Sequence, residues 1–598
     1  MKRKKWAALF CALTALAFLA GNHIAALYQN SAGNILERTQ YVFSKNFLSF
    51  SFSLNKYALL GGLLGVIFFW AFWFYNFGRR GNARPGEEHG SAKWGKPEDA
   101  RPFQSPDQYG NIILSKNTGL ALSNKGKDYK YHTNKNILVI GGSGSGKTLF
   151  FVEPNILQLH SCYIVTDPKG TSLSRVGDAL KSAGYEIKCF NTVDLKRSMR
   201  YNPLEYAKTE QDILKLVDAL MLNTTSPDSR SSEQFWQDAE KLLYTGIIAF
   251  IVFDLPDEIP KNFNTFLELL GAVKVSEDRP EEKNAMDVMF EDLLETKGET
   301  FSHRCYSGFR KAHPKTATGI IISACARLMP FYISDLRGLF EYDEMELDKI
   351  GNQKTAHFLI VDDTDTTFNF MVGLLYSQML TRMIRNADNS GGSLPIHTRM
   401  IMDEAANIAQ IRNLEKVTGQ IRSREISACL IYQNPEQLKA LYKEKAAVIS
   451  GNFDTTLFLG SEEPGVGKLI SEKIGDETVS YTTQSDARGR NRTYTQSEGI
   501  AKRRLLAPEE VRKLPADECI VFIKGLAPIR DKKYTLGSHP RYRESAKFDV
   551  FTENTTAGRL PHPAAEPIWG EAQGKEYTPE YAAQTQTYSD GIHIDIKF

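Results

Sequence analysis

The chain has 598 residues, which at about 150 residues per domain predicts roughly four domain-sized units. Its 42% hydrophobic and 24% charged residues are typical of a folded globular protein, and a mean hydropathy of −0.33 excludes a polytopic membrane transporter. Because 73 Lys and Arg are balanced by 71 Asp and Glu, the net charge of +2 does not indicate a nucleic-acid-binding protein, and any basic surface must be local.

The pattern of residues 1–78 predicts a transmembrane hairpin with a short external loop. Basic residues 2–5 precede an apolar run at 6–20, and a second run at 57–77 carries no charge. About 20 apolar residues span roughly 30 Å of hydrocarbon as a helix, so the second run can cross a bilayer. Basic residues flank the two runs, so the positive-inside rule predicts both ends in the cytoplasm and the connecting loop outside. The alternative is a cleaved signal peptide, because the first run alone has the required size.

A phosphate-binding loop is predicted in the first part of a nucleotide-binding domain, residues 111–207. A Gly-, Pro- and charge-rich linker at 79–110 comes before it, and short apolar strands then alternate with amphipathic helices, as in an α/β fold with a mainly parallel sheet. The β-branched run at 136–140 leads into the pattern GxxxxGK[ST], which cradles nucleotide phosphates when a strand precedes it and a helix follows. The residues expected to bind ATP are Gly141, Gly142, Ser143, Gly144, Ser145, Gly146, Lys147 and Thr148.

Four residues are predicted to complete the chemistry of this loop. Lys147 is expected to reach the β- and γ-phosphates, and the hydroxyl of Thr148 to enter the shell of a Mg²⁺ ion. Asp403 and Glu404 follow an apolar strand at 399–402. We expect Asp403 to hold Mg²⁺ through water and Glu404 to orient the attacking water. The alternative is an acidic helix start that the helix dipole stabilises.

Two further polar positions have both a functional and a structural interpretation. Gln433 ends the apolar strand at 428–432 and could sense the γ-phosphate, although strand ends are often polar. Arg422 and Arg424 lie just before that strand. They could be ordinary solvated charges, or one could be an arginine finger that reaches the γ-phosphate of a neighbouring subunit.

The order of the motifs resembles the TraG/TraD family of type IV coupling proteins, the inner-membrane ATPases of conjugation and type IV secretion. The likeness covers about residues 85–545. The matching segments are 91–95, 141–148, 165–170, 201–204, 235–236, 361–366, 403–404, 432–437 and 503–515. The resemblance implies a RecA-like P-loop NTPase domain that continues over 316–545, with an all-α domain at 208–315 inserted into it. It also includes Asp167 and Lys169, for which we predict no defined role.

The resemblance further implies a function, a set of partners and an assembly. The chain is expected to be a membrane-anchored ATPase that uses ATP and Mg²⁺ and couples a relaxase–DNA or protein substrate to a type IV secretion channel. Such proteins form homohexameric rings, and Arg422 falls at the position of the arginine finger. Translocation of single-stranded DNA, contact of the all-α domain with relaxosome proteins, and location in the cytoplasmic membrane with the bulk of the chain in the cytoplasm are implied as well.

Two alternative functions remain open at the level of sequence. One is an FtsK-like translocase of double-stranded DNA, and the other is a low-turnover adaptor that binds nucleotide and recruits substrate. A DNA-gripping loop is predicted from its Lys, Arg and aromatic content, which suits contact with phosphate without base reading. Its residues are Arg488, Arg490, Arg492 and Tyr494. The Thr-, Ala-, Gln- and Pro-rich segment at 546–598 is predicted to be a disordered tail.

Overall fold

The computed structural model describes residues 2–43, 52–77, 87–224, 234–279, 281–362, 364–487, 493–542 and 548–551, together with 586–587 and 593–594. The chain forms two compact units. The first unit combines Met1–Ser91 with Glu477–Arg503, and the second combines Ala92–Asp476 with Arg504–Phe598.

The secondary structure follows the predicted alternation of strands and helices. The α-helices are α1 (Lys2–Asn30), α2 (Ile35–Val42), α3 (Lys56–Phe77), α4 (Glu153–Ile156), α5 (Thr171–Ser182), α6 (Glu210–Thr224), α7 (Gln234–Ala249), α8 (Phe263–Ala272), α9 (Ala285–Lys297), α10 (Phe301–Arg310), α11 (Pro314–Arg327), α12 (Ser334–Leu339), α13 (Asn369–Asn389), α14 (Leu414–Gln420), α15 (Pro435–Tyr442), α16 (Lys445–Gly451), α17 (Pro464–Ile474) and α18 (Pro508–Arg512). The strands are β1 (Asn111–Ile113), β2 (Gly119–Ala121), β3 (Ile137–Ile140), β4 (Cys162–Asp167), β5 (Glu186–Asn191), β6 (Thr355–Ile360), β7 (Thr398–Met402), β8 (Ile426–Tyr432), β9 (Thr455–Phe458), β10 (Asp476–Ala487), β11 (Thr493–Arg504), β12 (Glu518–Ile523), β13 (Ile529–Lys532), β14 (Gln586–Thr587) and β15 (His593–Ile594).

In the first unit, α1 and α3 pack along a seam of small residues. A Cβ added to Gly21 would lie 2.3 Å from the carbonyl oxygen of Gly61, and one added to Gly65 would lie 2.6 Å from that of Ala17. Small residues of this kind let two helix backbones approach closely, as they do in membrane helix pairs. Outside the seam, large apolar side chains such as Phe68 are exposed. Both helices are long and apolar enough, by length and composition, to cross a membrane.

The first unit also contains a two-stranded hairpin formed by β10 and β11. At its base, Ser91 forms a β-bridge with Glu477, and the backbone N–H groups of His89 and Gly90 donate to the Thr478 hydroxyl at 3.0 and 3.2 Å. The segment that follows the apolar helices therefore contacts the base of the hairpin. Of the predicted DNA-gripping residues, Arg488, Arg490 and Arg492 lie outside the described residues, and so does the side chain of Tyr494.

In the second unit, a nine-stranded sheet has the order β13-β12-β9-β3-β8-β7-β4-β6-β5. The seven strands from β9 to β5 in this order are parallel, whereas β12 is antiparallel to both of its neighbours. Every residue of β3, β4, β7 and β8 is buried. Continuous apolar strands of this kind are expected when helices cover both faces of a parallel sheet. The predicted α/β class with a mainly parallel sheet is confirmed.

A run of helices, α6 to α12, separates β5 from β6. The described residues between these two strands contain no further strand. The helices pack around buried aromatic side chains, including Tyr244, Phe250 and Phe266. Asn262 and Thr300 cap α8 and α10 by accepting hydrogen bonds from backbone N–H groups of the first turns. The boundaries at 208 and 315 stay predictions.

The predicted tail at 546–598 lies mostly outside the described residues. Of its first part, residues 548–551 pack against α5, where the N–H of Phe548 donates to the carbonyl of Ser174 at 3.1 Å. The short strands β14 and β15 pair with each other. The prediction of disorder concerns the remaining residues of this segment.

Candidate nucleotide site

The loop at 141–148 leaves the carboxyl end of β3 and is anchored to both neighbouring strands. The N–H of Gly141 donates to the carbonyl of Tyr432 at the end of β8, at 3.2 Å, and the N–H of Gly142 donates to the carbonyl of Gly460, just after β9, at 2.9 Å. Gly144 and Gly146 have φ values of +74° and +80°, which side chains other than glycine rarely adopt. The sequence therefore folds locally into a loop that wraps around a central space.

Two side chains of the loop have partners in the segment that directly follows β7. Lys147 is buried, and its ammonium donates to the Gly141 carbonyl at 3.1 Å and forms an ion pair with Glu404 at 3.2 Å. The hydroxyl of Thr148 donates to Asp403 Oδ2 at 2.7 Å. Both predicted acidic residues therefore contact the loop directly.

The end of β7 holds the two carboxylates in different environments. Asp403 is buried, and burial raises the pKa of its carboxyl to about 6, with a smaller contribution from the charge of Glu404. Glu404 has a φ of +50°, an uncommon backbone conformation for a non-glycine residue and one that clusters at functional sites. Its carboxylate accepts hydrogen bonds from Gln433 Nε2 at 3.1 and 3.3 Å.

The sheet order explains why these residues meet. β3, β8 and β7 are parallel neighbours, with Ile140 opposite Tyr432 and Met402 opposite Leu430. The residues that follow these strands therefore emerge at one edge of the sheet. The structure brings together five of the predicted site residues: Lys147, Thr148, Asp403, Glu404 and Gln433.

Arg422 lies at the amino ends of the parallel strands, opposite the end that holds the phosphate loop. It is exposed on the turn Ile421–Arg424, which precedes the amino end of β8, whereas the phosphate loop lies at the carboxyl ends of the strands. Seven strand residues at about 3.3 Å each separate the two edges by roughly 20 Å, too far for an arginine side chain. Arg422 therefore cannot contact the phosphate loop of its own chain.

Arg422 instead lines an open cavity of about 700 Å³ at this edge. Lys135, His397 and Glu425 also line it. Burial lowers the pKa of the Lys135 ammonium to about 7. Within the described part of the chain, no hydrogen bond or ion pair engages the Arg422 guanidinium, whereas Arg424 pairs with Asp388 at 3.0 Å.

Asp167 has a structural role in this fold. It ends β4, is buried, and accepts a hydrogen bond from the N–H of Leu173 at 2.9 Å, so that it caps the start of α5. Gly170, with a φ of +68°, lets the chain turn sharply between the strand and the helix. Burial raises the pKa of the Asp167 carboxyl, and the hydrogen bonds that it accepts from backbone N–H groups oppose this effect.

Sequence reasoning missed two charged side chains near the loop. Glu153 on α4 is fully buried, pairs with Arg175 of α5 at 2.9 Å, and has a pKa raised to about 7 by burial. Lys533, just after β13, is buried and donates to the Ser145 carbonyl at 3.0 Å. The burial of Glu153 could have been predicted from the apolar residues around it in the sequence. No local signal marks Lys533, because it reaches the loop only through the order of the sheet strands.

The strand–loop–helix unit, with a carboxylate pair on a neighbouring parallel strand, defines the class of P-loop nucleoside-triphosphatases. The profile of the family described as "Type IV secretory system Conjugative DNA transfer" matches residues 94–554. The chain belongs to this family, which confirms the resemblance noted from its motifs.

Curated relatives and solved structures agree with this assignment. The conjugal transfer protein TraG of Agrobacterium fabrum is 23% identical over 438 residues, covering 70% of this chain and 64% of the relative. VirD4 of Rhizobium rhizogenes is 22% identical over 515 residues, covering 80% and 69%. The chain thus spans somewhat less than two thirds of the length of the TraG relative.

The plasmid coupling protein TrwB has a similar fold. Its structure with the ATP analogue ADPNP aligns with a TM-score of 0.53 at 13% identity, covering 78% of this chain and 99% of TrwB. Its structure with ADP and Mg²⁺ aligns with a TM-score of 0.50 at 14% identity, covering 77% and 99%. The predicted RecA-like P-loop fold with an inserted helical segment is confirmed.

Proposed function

We propose that this protein is the coupling ATPase of a conjugation or type IV secretion system. It links a relaxase–DNA or protein substrate to the secretion channel and moves single-stranded DNA at the expense of ATP. The observation that carries the proposal is the convergence of Lys147, Thr148, Asp403, Glu404 and Gln433 at one sheet edge, in a chain of the conjugative DNA-transfer family.

The residues at this edge fit ATP and Mg²⁺. The Ser145 hydroxyl is buried and has no hydrogen-bond partner among the described residues, so the loop contains a polar atom that lacks a partner. TrwB, which has a similar fold, has been solved with an ATP analogue and with ADP and Mg²⁺. A bound Mg²⁺ would supply positive charge that neutralises negative charge on the phosphates during their transfer. Thr148 and Asp403 would hold it.

The remaining roles in ATP binding and hydrolysis belong to three protein side chains. Lys147 binds the phosphates, and Glu404 orients a water molecule for attack once it leaves its ion pair with Lys147. Gln433 holds the Glu404 carboxylate through its amide and reports on the γ-phosphate. These roles require positioning and charge stabilisation rather than covalent chemistry, as is usual for phosphoryl transfer.

The position of Arg422 supports an assembly in which the active site is shared between copies. Because Arg422 and the phosphate loop lie at opposite edges of one sheet, each copy can offer its guanidinium to the next copy in a head-to-tail ring. We propose a homohexamer in which Arg422 acts as an arginine finger on the neighbouring γ-phosphate.

The membrane anchor is proposed from α1 and α3. Their outward apolar side chains suit lipid, and Phe10 packs against Trp70 and Trp73 in an aromatic cluster at one end of the pair. Such clusters are typical of the membrane–water interface. We propose that the pair spans the cytoplasmic membrane, that the bulk of the chain is cytoplasmic, and that the helical segment at 208–315 meets relaxosome proteins.

ATPase assays of the detergent-extracted full-length protein test this function. We expect single-stranded DNA to stimulate hydrolysis in the wild type and Lys147→Ala and Glu404→Gln to abolish it. The exposed Glu436→Gln variant is the matched control and should behave as wild type. Equal rates in wild type, Lys147→Ala and Glu404→Gln would contradict the motor and indicate a recruiting adaptor. Stronger stimulation by duplex DNA would indicate a double-strand translocase.

A further inference from the structure

A second lysine, Lys533, follows the outermost strand of the sheet and contacts the phosphate loop. It follows β13, and its ammonium donates to the carbonyl oxygen of Ser145 at 3.0 Å. The same ammonium lies 5.2 Å from the centroid of the Phe150 ring, on the turn that follows the loop. With 6% of its surface exposed, Lys533 is as buried as Lys147, at 7%. Two buried ammonium groups therefore contact a single short loop.

Among the residues that the structure describes, the positive charge of Lys533 has no carboxylate partner. Within the described residues, no Asp or Glu oxygen lies within ion-pair distance of its ammonium. The nearby Asp531 carboxylate already accepts hydrogen bonds from the Ser115 hydroxyl at 2.6 Å and from the backbone N–H and side-chain amide of Asn117 at 2.9 and 2.8 Å. The adjacent Lys532 is half-exposed and pairs with Asp517 at 2.6 Å. Burying a cation beside a carbonyl and a ring costs free energy unless an anion compensates it.

The contact with Ser145 orients one peptide group of the loop. In a trans peptide group the C=O and N–H bonds point in opposite directions. A carbonyl held by Lys533 therefore turns the N–H of Gly146 away from Lys533. Gly146, at positive φ, allows the peptide group between Ser145 and Gly146 to rotate, so local sterics alone do not fix its orientation. The hydrogen bond from the Lys533 ammonium is one of the contacts that hold it.

We propose that Lys533 is a positioning residue of the nucleotide site that serves as its second cation. Through the Ser145 carbonyl it holds the loop with the Gly146 N–H directed to the phosphates, and its charge is compensated by the bound nucleoside di- or triphosphate. The inference rests on the proposed function of the loop. It assigns to the residue that follows β13 an indirect part in phosphate binding, through the Ser145 carbonyl.

Nucleotide binding by full-length variants tests the assignment. Lys533→Met removes the charge and the donor, Lys533→Arg keeps both, and Lys532→Met is the matched control. We expect the dissociation constant for ADPNP to rise about tenfold in Lys533→Met, as for loss of a charge-assisted hydrogen bond, and to change less than about threefold in the other two. In steady-state assays the effect should fall on KM and leave kcat within about twofold.

A pH titration separates a charge effect from a packing effect. Burial lowers the pKa of the Lys533 ammonium, so the wild type should lose ADPNP affinity as alkaline pH removes its proton. Lys533→Arg stays charged and should not show this loss. Because Lys533→Arg keeps the side-chain volume, this comparison holds even if Lys533→Met fails to fold.

The outcomes distinguish this inference from the proposed function. Unchanged ADPNP affinity in Lys533→Met, or identical pH profiles for wild type and Lys533→Arg, would overturn the role of Lys533 and leave the ATPase standing. Failure of the wild type to bind ADPNP would overturn the proposed function itself.

Discussion

At the scale of single residues, the central feature of the site is that two anionic groups compete for the Lys147 ammonium. The Lys147 ammonium lies 3.2 Å from Glu404, the residue that we propose orients water. Phosphate oxygens and the Glu404 carboxylate therefore compete for the same cation. Gln433 stabilises the carboxylate in this position through a hydrogen bond of 3.1 Å. In the proposed mechanism, nucleotide binding releases Glu404 from Lys147 before Glu404 acts on water.

Replacing Glu404 with Gln should separate binding from hydrolysis. The amide keeps the shape but removes the charge that competes with phosphate, so ADPNP affinity should rise about three- to tenfold while turnover falls by at least about 100-fold. Isothermal titration and single-turnover hydrolysis measure the two effects. Glu436→Gln, on the helix that follows Gln433, should leave both unchanged. Weaker binding by Glu404→Gln would contradict the competition.

The buried carboxyl of Glu153 predicts a pH-dependent stability. Its pKa is about 7 in the folded chain, against about 4.3 for an unfolded glutamate. The folded state therefore binds this proton more tightly, and stability falls as pH rises from about 4 to about 7.

Glu153→Gln should remove this dependence. We expect the variant to melt about 2–4 °C above wild type at pH 8 and at the same temperature at pH 5. Differential scanning fluorimetry across this range provides the measurement, with the exposed Glu205→Gln as the control. A variant that melts below wild type at pH 8 would show that the ion pair with Arg175 outweighs the burial of charge.

At the scale of elements, local patterns were enough to predict the strands that build the site. The apolar runs at 136–140, 399–402 and 428–432 correspond to β3, β7 and β8 within two residues at each end. All three strands are buried along their whole length, as expected for strands at the centre of a parallel sheet that is covered on both faces. The loop between β3 and α4 follows from its glycines.

Elements without hydrophobic periodicity could not be predicted. In this region only a loop carrying residues 488–494 was predicted, whereas β10 and β11 each form a strand of 12 residues. None of the described side chains of β10 and β11 is buried, and polar strands of this kind lack the alternation that identifies a strand. The contact of Lys533 with the loop depends on the order of β13, β12 and β9, which no local pattern encodes.

The proposed membrane hairpin predicts a specific labelling pattern. A cysteine at Ala32, in the loop between α1 and α2, should react with a membrane-impermeant maleimide in intact cells. A cysteine at Lys125, exposed in the second unit, should react only after permeabilisation. Equal labelling of both positions in intact cells would contradict the topology. Intact mass of the purified chain reveals whether residues 6–20 are retained or cleaved.

At the scale of the whole molecule, the proposed assembly rests on the position of Arg422. One copy holds the phosphate loop at one sheet edge and an exposed guanidinium roughly 20 Å away at the other. In the proposed homohexamer, a complete site therefore requires two copies in head-to-tail contact, and the rotation between copies closes the ring. Arg422→Ala should lower DNA-stimulated turnover by roughly 10³-fold, whereas Arg424→Ala, which loses only its pair with Asp388, should not.

Mixing two inactive variants tests this central claim most directly. Lys147→Ala subunits keep Arg422 but cannot bind the phosphates, and Arg422→Ala subunits have the reverse defect. In a 1:1 mixture, half of the subunits carry an intact loop and half of their neighbours carry Arg422, so about one quarter of the interfaces is complete. We predict that mixed assemblies recover up to about this fraction of wild-type ATPase activity. Activity no higher than that of either variant alone would contradict a site shared between neighbouring copies.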